Sequence, residues 1–237
     1  MTRHGGIARG SGEVGSRPLA LVTGASRGLG REVARRLVAE GFTVLAGVRA
    51  PAAMNPLPDV EVLPLDVSDP ASIASAAASV KARHGHLEVL VNNAGILLDE
   101  ATGLMDLGAG LLRRTLETNA IGPLLVAQAF APLMGKGGRI VNVSSAGGQL
   151  SAPSTWSPAY CVSKTALNAV TVQLAEALKA RGIAVNAVCP GWVRTDMGGP
   201  GAPRSLRQGA DSILWAVLQA DPGLTGGFWQ DGKRIDW

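Results

Sequence analysis

The stretch Leu19-Ala20-Leu21-Val22-Thr23-Gly24-Ala25-Ser26-Arg27-Gly28-Leu29-Gly30 decides the fold. Its first five residues form a short apolar run, the pattern of a strand buried on both faces. Glycines follow at Gly-x3-Gly-x-Gly spacing, and a helical pattern covers residues 28–40. Glycine permits the tight turn and lets backbone N–H groups approach a pyrophosphate at a helix N-terminus. Three glycines in a loop mean little alone. Set between a first buried strand and a helix, they point to a dinucleotide-binding α/β unit. Gly24, Ser26, Arg27, Gly28, Leu29 and Gly30 are candidate cofactor contacts.

Working outward, short β-branched runs bounded by Gly, Pro or Asp predict strands at Leu19–Thr23, Thr43–Val48, Val60–Leu65, Leu87–Asn92, Arg139–Ser144 and Ile183–Val188, with a last one near 226–230. Helices are expected near 28–40, 70–84, 103–118, 120–134 and 158–181. Asp69-Pro70 and Ser157-Pro158 each put a capping residue before a proline suited to a first helical turn. Such alternation predicts one doubly wound, Rossmann-type α/β domain over 18–237. Its seven-stranded parallel sheet carries helices on both faces. Residues 1–17 are Gly/Ser/Arg-rich and aperiodic and read as a flexible tail.

Composition bounds the function. The chain has 237 residues, 46% hydrophobic and 17% charged, enough for a packed core. The formal charge is +4; Arg3, Arg9 and Arg17 against Glu13 place +2 of it in the first 17 residues. No basic patch and only 4% aromatic residues speak against a nucleic-acid partner. No apolar run reaches the ~18 residues of a membrane span, and no signal-peptide core opens the chain, so a cytoplasmic protein is expected. Cys161 and Cys189, with three histidines, give no disulfide framework and no metal cluster.

An NAD site offers Asp or Glu at the end of the second strand to hold the ribose 2′-hydroxyl. Residues 41–58 contain no acid, Arg49 follows Val48, and Arg27 lies in the glycine loop. Two guanidinium groups suit a 2′-phosphate, so NADP(H) is the expected cofactor.

Tyr160-Cys161-Val162-Ser163-Lys164 falls early in a predicted helix, where positions i and i+4 share a face. Tyr160 is the only tyrosine. A free phenol ionises near 10, and the Lys164 charge is expected to lower that value. Pro123, four residues after Asn119, has no N–H to give to the Asn119 carbonyl, so a regular helix is not expected there.

Taken together, Thr23–Gly30, Asn92-Asn93-Ala94-Gly95, Asn119, Ser144-Ser145, Tyr160-x3-Lys164 and Pro190-Gly191 resemble the short-chain dehydrogenase/reductase family in order and approximate spacing. The resemblance spans about residues 18–237. Cys189–Met197 and the ending from Gly226 to Trp237 look most like its carbonyl-reductase branch. It implies that Tyr160 gives a proton to a carbonyl oxygen, and that Ser145 holds that oxygen, with Ser144 the nearer competitor. Lys164 would hold the nicotinamide ribose, and Asn119 would hold a water in a proton relay. It also implies adenine contacts at Asp66 and Val67, cofactor contacts at Asn93, Ala94, Gly95, Tyr160, Lys164, Pro190, Gly191, Val193 and Thr195, and a structural role for Asn92. The segment between Ser145 and Tyr160 is slightly longer than in many members but lacks the long insertion of monomeric ones. That favours a homodimer or homotetramer, with Ala159, Ala166 and Ala169 allowing close helix approach.

Ile96, Leu97, Leu98, Trp156, Trp192 and Met197 are the expected walls of a substrate site, and residues 197–206 read as a lid. The lining suits a hydrophobic ketone or aldehyde as small-molecule substrate. Two alternatives stand beside this: a 3-oxoacyl or polyketide ketoreductase, with Lys136 and Arg181 as a docking spot for an acidic carrier, and a non-catalytic NADP-sensing protein.

Overall fold

A computed structural model describes residues 17–221 and 223–237. The tail expected over residues 1–17 therefore lies, except for its last residue, outside the described part. Eight strands make one sheet in the order β3-β2-β1-β4-β5-β6-β7-β8. They are β1 (Leu19–Thr23), β2 (Thr43–Val48), β3 (Val60–Pro64), β4 (Val89–Asn92), β5 (Arg139–Val143), β6 (Ala184–Val188), β7 (Phe228–Gln230) and β8 (Lys233–Arg234). The first seven run parallel; β8 pairs antiparallel with β7. The expectation of seven strands is thus short by one. The missing strand returns through Asp231-Gly232, both at positive φ (51° and 76°). That is the geometry of a two-residue hairpin turn.

Period-two alternation explains the double burial. Leu19 and Leu21 face one core with Ile73, Val80, Phe130, Leu174 and Leu178. Ala20 and Val22 face the other with Val33, Leu37, Ile213 and Val217. The first core is covered by α2 (Pro70–Arg83), α4 (Gly122–Phe130) and α5 (Pro158–Lys179), the second by α1 (Gly28–Ala39) and α6 (Leu206–Leu214).

Three helices differ from expectation. The helix expected from residue 103 begins at Ala109, as α3 (Ala109–Leu116). Leu104 and Met105 are exposed, so no burial draws that segment into the helix. The one expected over 120–134 ends at Phe130, because Pro132 cannot continue it. Helix α6 was not expected at all. Ser205 accepts from Gln208 N and the Gln208 side chain returns to Ser205 N, a capping box. The expected lid therefore ends before Ser205.

Buried polar groups register α5 on β5. Asn142 Nδ2 donates to Thr171 Oγ1 at 2.9 Å and Ser144 Oγ to Asn168 Oδ1 at 2.6 Å. Asn92 Nδ2 joins Asn142 Oδ1 at 2.9 Å, tying β4 to β5 as its structural reading requires. These bonds fix the carboxyl ends of β4 and β5 relative to the helix carrying Tyr160 and Lys164.

Candidate active site

The strand order reverses between β1 and β4, and this opens a crevice at their carboxyl ends. Gly24 and Gly28 adopt positive φ there (66° and 55°), which only glycine does without strain. Asn93 Nδ2 donates to Thr23 O (2.9 Å) and Gly24 O (3.3 Å), while Thr23 Oγ1 accepts from the Asn93 and Ala94 N–H groups at 3.0 Å. Asn93 and Ala94 thus buttress the loop from the β4 side. Helix α1 opens with no side-chain cap and no acid in its first turn. Its first amides are free for an anion, so the loop fits a pyrophosphate. Ser26 and Leu29 are half-buried beside it.

Arg49 is exposed past the end of β2. Arg27 is exposed too, paired at 2.8 Å with Asp196 across the crevice. Asp66 Oδ1 accepts from Ser68 N and Oγ, an Asx turn that leaves Oδ2 as its second acceptor. The Val67 side chain lies in the core, so only its backbone faces outward. Thr195 packs over the glycine loop: a Cβ on Gly28 would lie 3.7 Å from Thr195 Cγ2. Gly191 has φ 74°, and Val193 turns its side chain onto Gly209 of α6, leaving main chain at the crevice. Pro190, just before Gly191, is half-buried. These residues fit a nicotinamide dinucleotide.

Tyr160 and Lys164 are buried one turn apart on α5. Lys164 Nζ donates to Val143 O at 2.8 Å and sits 5.5 Å from the Tyr160 ring centroid. The expectation that it lowers the phenol pKa is not met. Burial pushes Tyr160 up to about 12, and the Ser145 hydroxyl pulls only part of the way back. Burial likewise pushes Lys164 down to about 8. The ammonium gives its hydrogen bond to a strand carbonyl, and desolvation of both groups outweighs attraction between them. Ser145 accepts from Gly147 N at 3.1 Å and keeps its proton for another partner. Ser144 points away, committed to Asn168.

The helical run through Asn119 widens into a π-turn over Glu117–Ile121, where Gly122 N reaches back to Glu117 O. Asn119 is buried. Its Oδ1 accepts from Ile96 N and its Nδ2 donates to Ile96 O, both at 2.8 Å, and Nδ2 also reaches Ser163 Oγ at 3.0 Å. Gly95 lies between Asn119 Oδ1 and Lys164 Nζ, its added Cβ 3.4 and 3.7 Å from them.

Apolar side chains rim the opening. Trp156, 51% exposed, stands edge-on to Tyr160 with ring centroids 5.9 Å apart. Trp192, 60% exposed, donates from Nε1 to Gly198 O at 2.8 Å, next to the exposed Met197. Leu97 is half-buried. The segment 193–204 is closed at its base by Arg194 N to Arg204 O (2.9 Å) and Arg204 N to Trp192 O (3.2 Å).

Two expected surface features fall elsewhere. Ala159 is covered by its own chain, so it is not free for a partner helix; Ala166 is half-buried and Ala169 exposed. Lys136 and Arg181 precede β5 and β6, at the amino edge of the sheet, opposite Tyr160. Arg181 is also committed to Ala131 O and Met134 O. They cannot dock a carrier beside the site.

One residue escaped the sequence reading. Asp99, 1% exposed, accepts at 2.6 Å from the Ala159 N–H at the start of α5. Ser157, expected to cap that helix, does not: it has φ 46° and no side-chain cap bond. No local pattern links residues 60 positions apart. Among the described residues, no group of His, Cys, Asp and Glu side chains is placed to hold a metal ion, and no helix is long and apolar enough to cross a membrane.

Comparison with known proteins places this geometry among relatives. The family described as short chain dehydrogenase matches residues 18–204. The uncharacterized oxidoreductase YgfF of Escherichia coli K12 is 33% identical over 240 residues, covering 89% of this chain and 96% of its own. The 3-oxoacyl-[acyl-carrier-protein] reductase FabG of Salmonella typhimurium is 36% identical over 186 residues, 76% of this chain and 75% of its own. Among solved structures, NADPH-bound carbonyl reductase from chicken fatty liver superposes with a TM-score of 0.85 at 30% identity, covering 94% of this chain and all of its own.

Proposed function

The chain belongs to the short-chain dehydrogenase family, and on that premise we propose that it is an NADPH-dependent reductase of hydrophobic ketones and aldehydes, running reversibly toward the alcohol. The observation that carries this is the convergence of Tyr160, Ser145 and Lys164 at the end of β5, under an apolar rim.

Gly24, Ser26, Gly28, Leu29 and Gly30 would hold the pyrophosphate, and Arg27 and Arg49 the 2′-phosphate. Asp66 and Val67 would hold the adenine, and Asn93, Ala94, Gly95, Tyr160, Lys164, Pro190, Gly191, Val193 and Thr195 the nicotinamide half. When bound, the dinucleotide supplies a hydride to the carbonyl carbon. Ser145 donates to the carbonyl oxygen as charge develops on it. Tyr160, protonated at neutral pH because burial holds its pKa near 12, transfers its proton to that oxygen, a far stronger base once it becomes an alkoxide. Lys164, held near 8, sits close to the ambient pH and can return a proton to the phenolate. Asn119 positions Ile96 and would hold a water of the proton relay. Leu97, Trp156, Trp192 and Met197 exclude water from the reacting carbonyl.

A 3-oxoacyl thioester reductase is the second reading, favoured by the likeness to the carrier-protein reductase. The amino-edge position of Lys136 and Arg181 removes the docking spot it was given. A non-catalytic NADP sensor would need neither Tyr160 nor Lys164 in the crevice. Ala166 and Ala169, not fully covered by their own chain, keep a homodimer or homotetramer as the proposed assembly; the cytoplasm is the proposed compartment. The deciding experiment follows NADPH oxidation over ketones, aldehydes, quinones and 3-oxoacyl thioesters, with Tyr160→Phe in parallel. Turnover of simple carbonyls, lost by ~100-fold or more in the variant while NADPH still binds, is expected. Turnover of thioesters alone would replace the first reading with the second, and binding without turnover would leave only the sensor.

A further inference from the structure

We infer that Asp99 is the positioning residue for Tyr160: from the loop that follows β4 it caps, in trans, the helix that carries the catalytic pair. The inference rests on the reductase reading for its kinetic consequence, and on geometry for everything else. Pro158 opens α5 without an N–H, so Ala159 offers the first amide of the helix, directly before Tyr160. Asp99 Oδ2 accepts that amide at 2.6 Å. Ser157 stands in the N-cap place, but its left-handed backbone turns its side chain out of capping geometry. A carboxylate beside the positive end of a 22-residue helix is electrostatically well placed.

The arrangement is costly. Among the described residues, neither Asp99 Oδ1 nor Ser157 Oγ has a hydrogen-bond partner, although both are buried. Ser157 also bears a positive φ that serine rarely adopts. A turn built for stability alone would satisfy these groups, and such departures gather where a fold holds a reacting group in place. Asp99 also closes a short tether. Asn119 grips Ile96 at both main-chain atoms, and Asp99 grips Ala159. Leu97 and Leu98 are therefore strung between the π-turn and the start of α5. The Asp99 contact thus ties the start of α5 to the loop that carries Leu97 and Leu98.

The test compares wild type, Asp99→Ala and Asp99→Asn. Removing the acceptor in D99A is expected to lower kcat by ~10- to 100-fold, as small displacements of a reacting group do, with the Kd for NADPH, read by fluorescence, unchanged within about twofold. Amide hydrogen exchange over residues 159–164 should quicken by ~10-fold while residues 168–179 keep their protection. D99N keeps an acceptor oxygen and should stay within about threefold of wild type in both readouts. If D99A is too unstable to purify, the double variant D99A/S157G gives the same comparison, since glycine takes the positive φ without strain. Wild-type exchange at Ala159 in D99A, or a D99N as impaired as D99A, overturns the inference. The exchange readout needs no substrate. A wild-type protein that turns over no carbonyl therefore sinks the reductase reading and leaves the capping role to be judged by exchange alone.

Discussion

Replacing Lys164 with methionine separates what this side chain does for the reaction from what it costs the fold. Burial lowers its pKa from 10.5 to about 8. The folded state therefore sheds the proton earlier than the unfolded chain does. Below pH 8 both states carry the charge and the folded state bears the full desolvation cost. As pH rises from 8 to 10.5 the cost is relieved, so this group makes stability increase with pH over that window. A fall from 10.5 to about 8 corresponds to ~3 kcal/mol, of which ~2 kcal/mol appears between pH 7 and 9.5. Cys161, Cys189 and Tyr160 oppose the trend, because burial raises their pKa values and favours folding only while they stay protonated. Subtracting the variant from the wild type cancels them. Loss of the 2.8 Å bond to Val143 O costs ~1 kcal/mol. K164M should therefore be more stable by ~2 kcal/mol at pH 7, about 5 °C in Tm, while kcat falls by ~100-fold or more. The assay is urea unfolding of the cofactor-free protein by circular dichroism at pH 7, 8, 9 and 9.5. A difference between the two proteins that does not shrink as pH rises, or a K164M less stable than wild type at pH 7, would refute the reasoning.

Arg49→Ala should reduce kcat/KM with NADPH by ~10- to 100-fold and leave NADH nearly unchanged, since only the 2′-phosphate contact is lost; parallel rates with both cofactors would contradict it. Ser145→Ala should cost ~100-fold or more in kcat with little change in Tm. Ser144→Ala, breaking the buried bond to Asn168, should instead lower stability by ~1–2 kcal/mol and spare kcat; thermal melts and kinetics on the pair read this out. Gly30→Ala would put a methyl group 2.4 Å from Asn93 Nδ2 and 2.6 Å from Gly24 O. Breaking the Asn93 buttress should cost ~2 kcal/mol and weaken NADPH binding by ~10-fold, measured by calorimetry.

What could be read from the chain and what could not follows from the range of the forces involved. The strands were legible because burial on both faces demands short runs without a charged residue, such as Thr43–Val48. The glycine loop was legible because only glycine takes the φ of Gly24 and Gly28 without strain. Two elements that were missed did leave local signals. Ser205-x-x-Gln208 announces α6, and Asp231-Gly232 announces the hairpin to β8; the glycines and prolines of 197–203 and the brevity of β8 obscured them. The irregular helix at Asn119 was foreseeable from Pro123 alone, since a missing N–H is a covalent fact. The ionisation of Tyr160 was not. Spacing says that a lysine lies one turn away, but whether attraction or desolvation wins depends on how deeply both groups are buried and where the ammonium points. Asp99 lay furthest out of reach, because a cap supplied from 60 positions away has no signature in either segment.

The wide turn at Glu117–Ile121 has an effect beyond the crevice. One extra residue per turn rotates everything downstream by about 100° about the helix axis. Val126, Ala127 and Phe130 point into the sheet only after that rotation. Rewinding the turn as regular α-helix with every residue kept would swing those three side chains by about 100°, away from the core they fill. Catalytic geometry and hydrophobic burial are thus geared together, and selection cannot adjust one without turning the other.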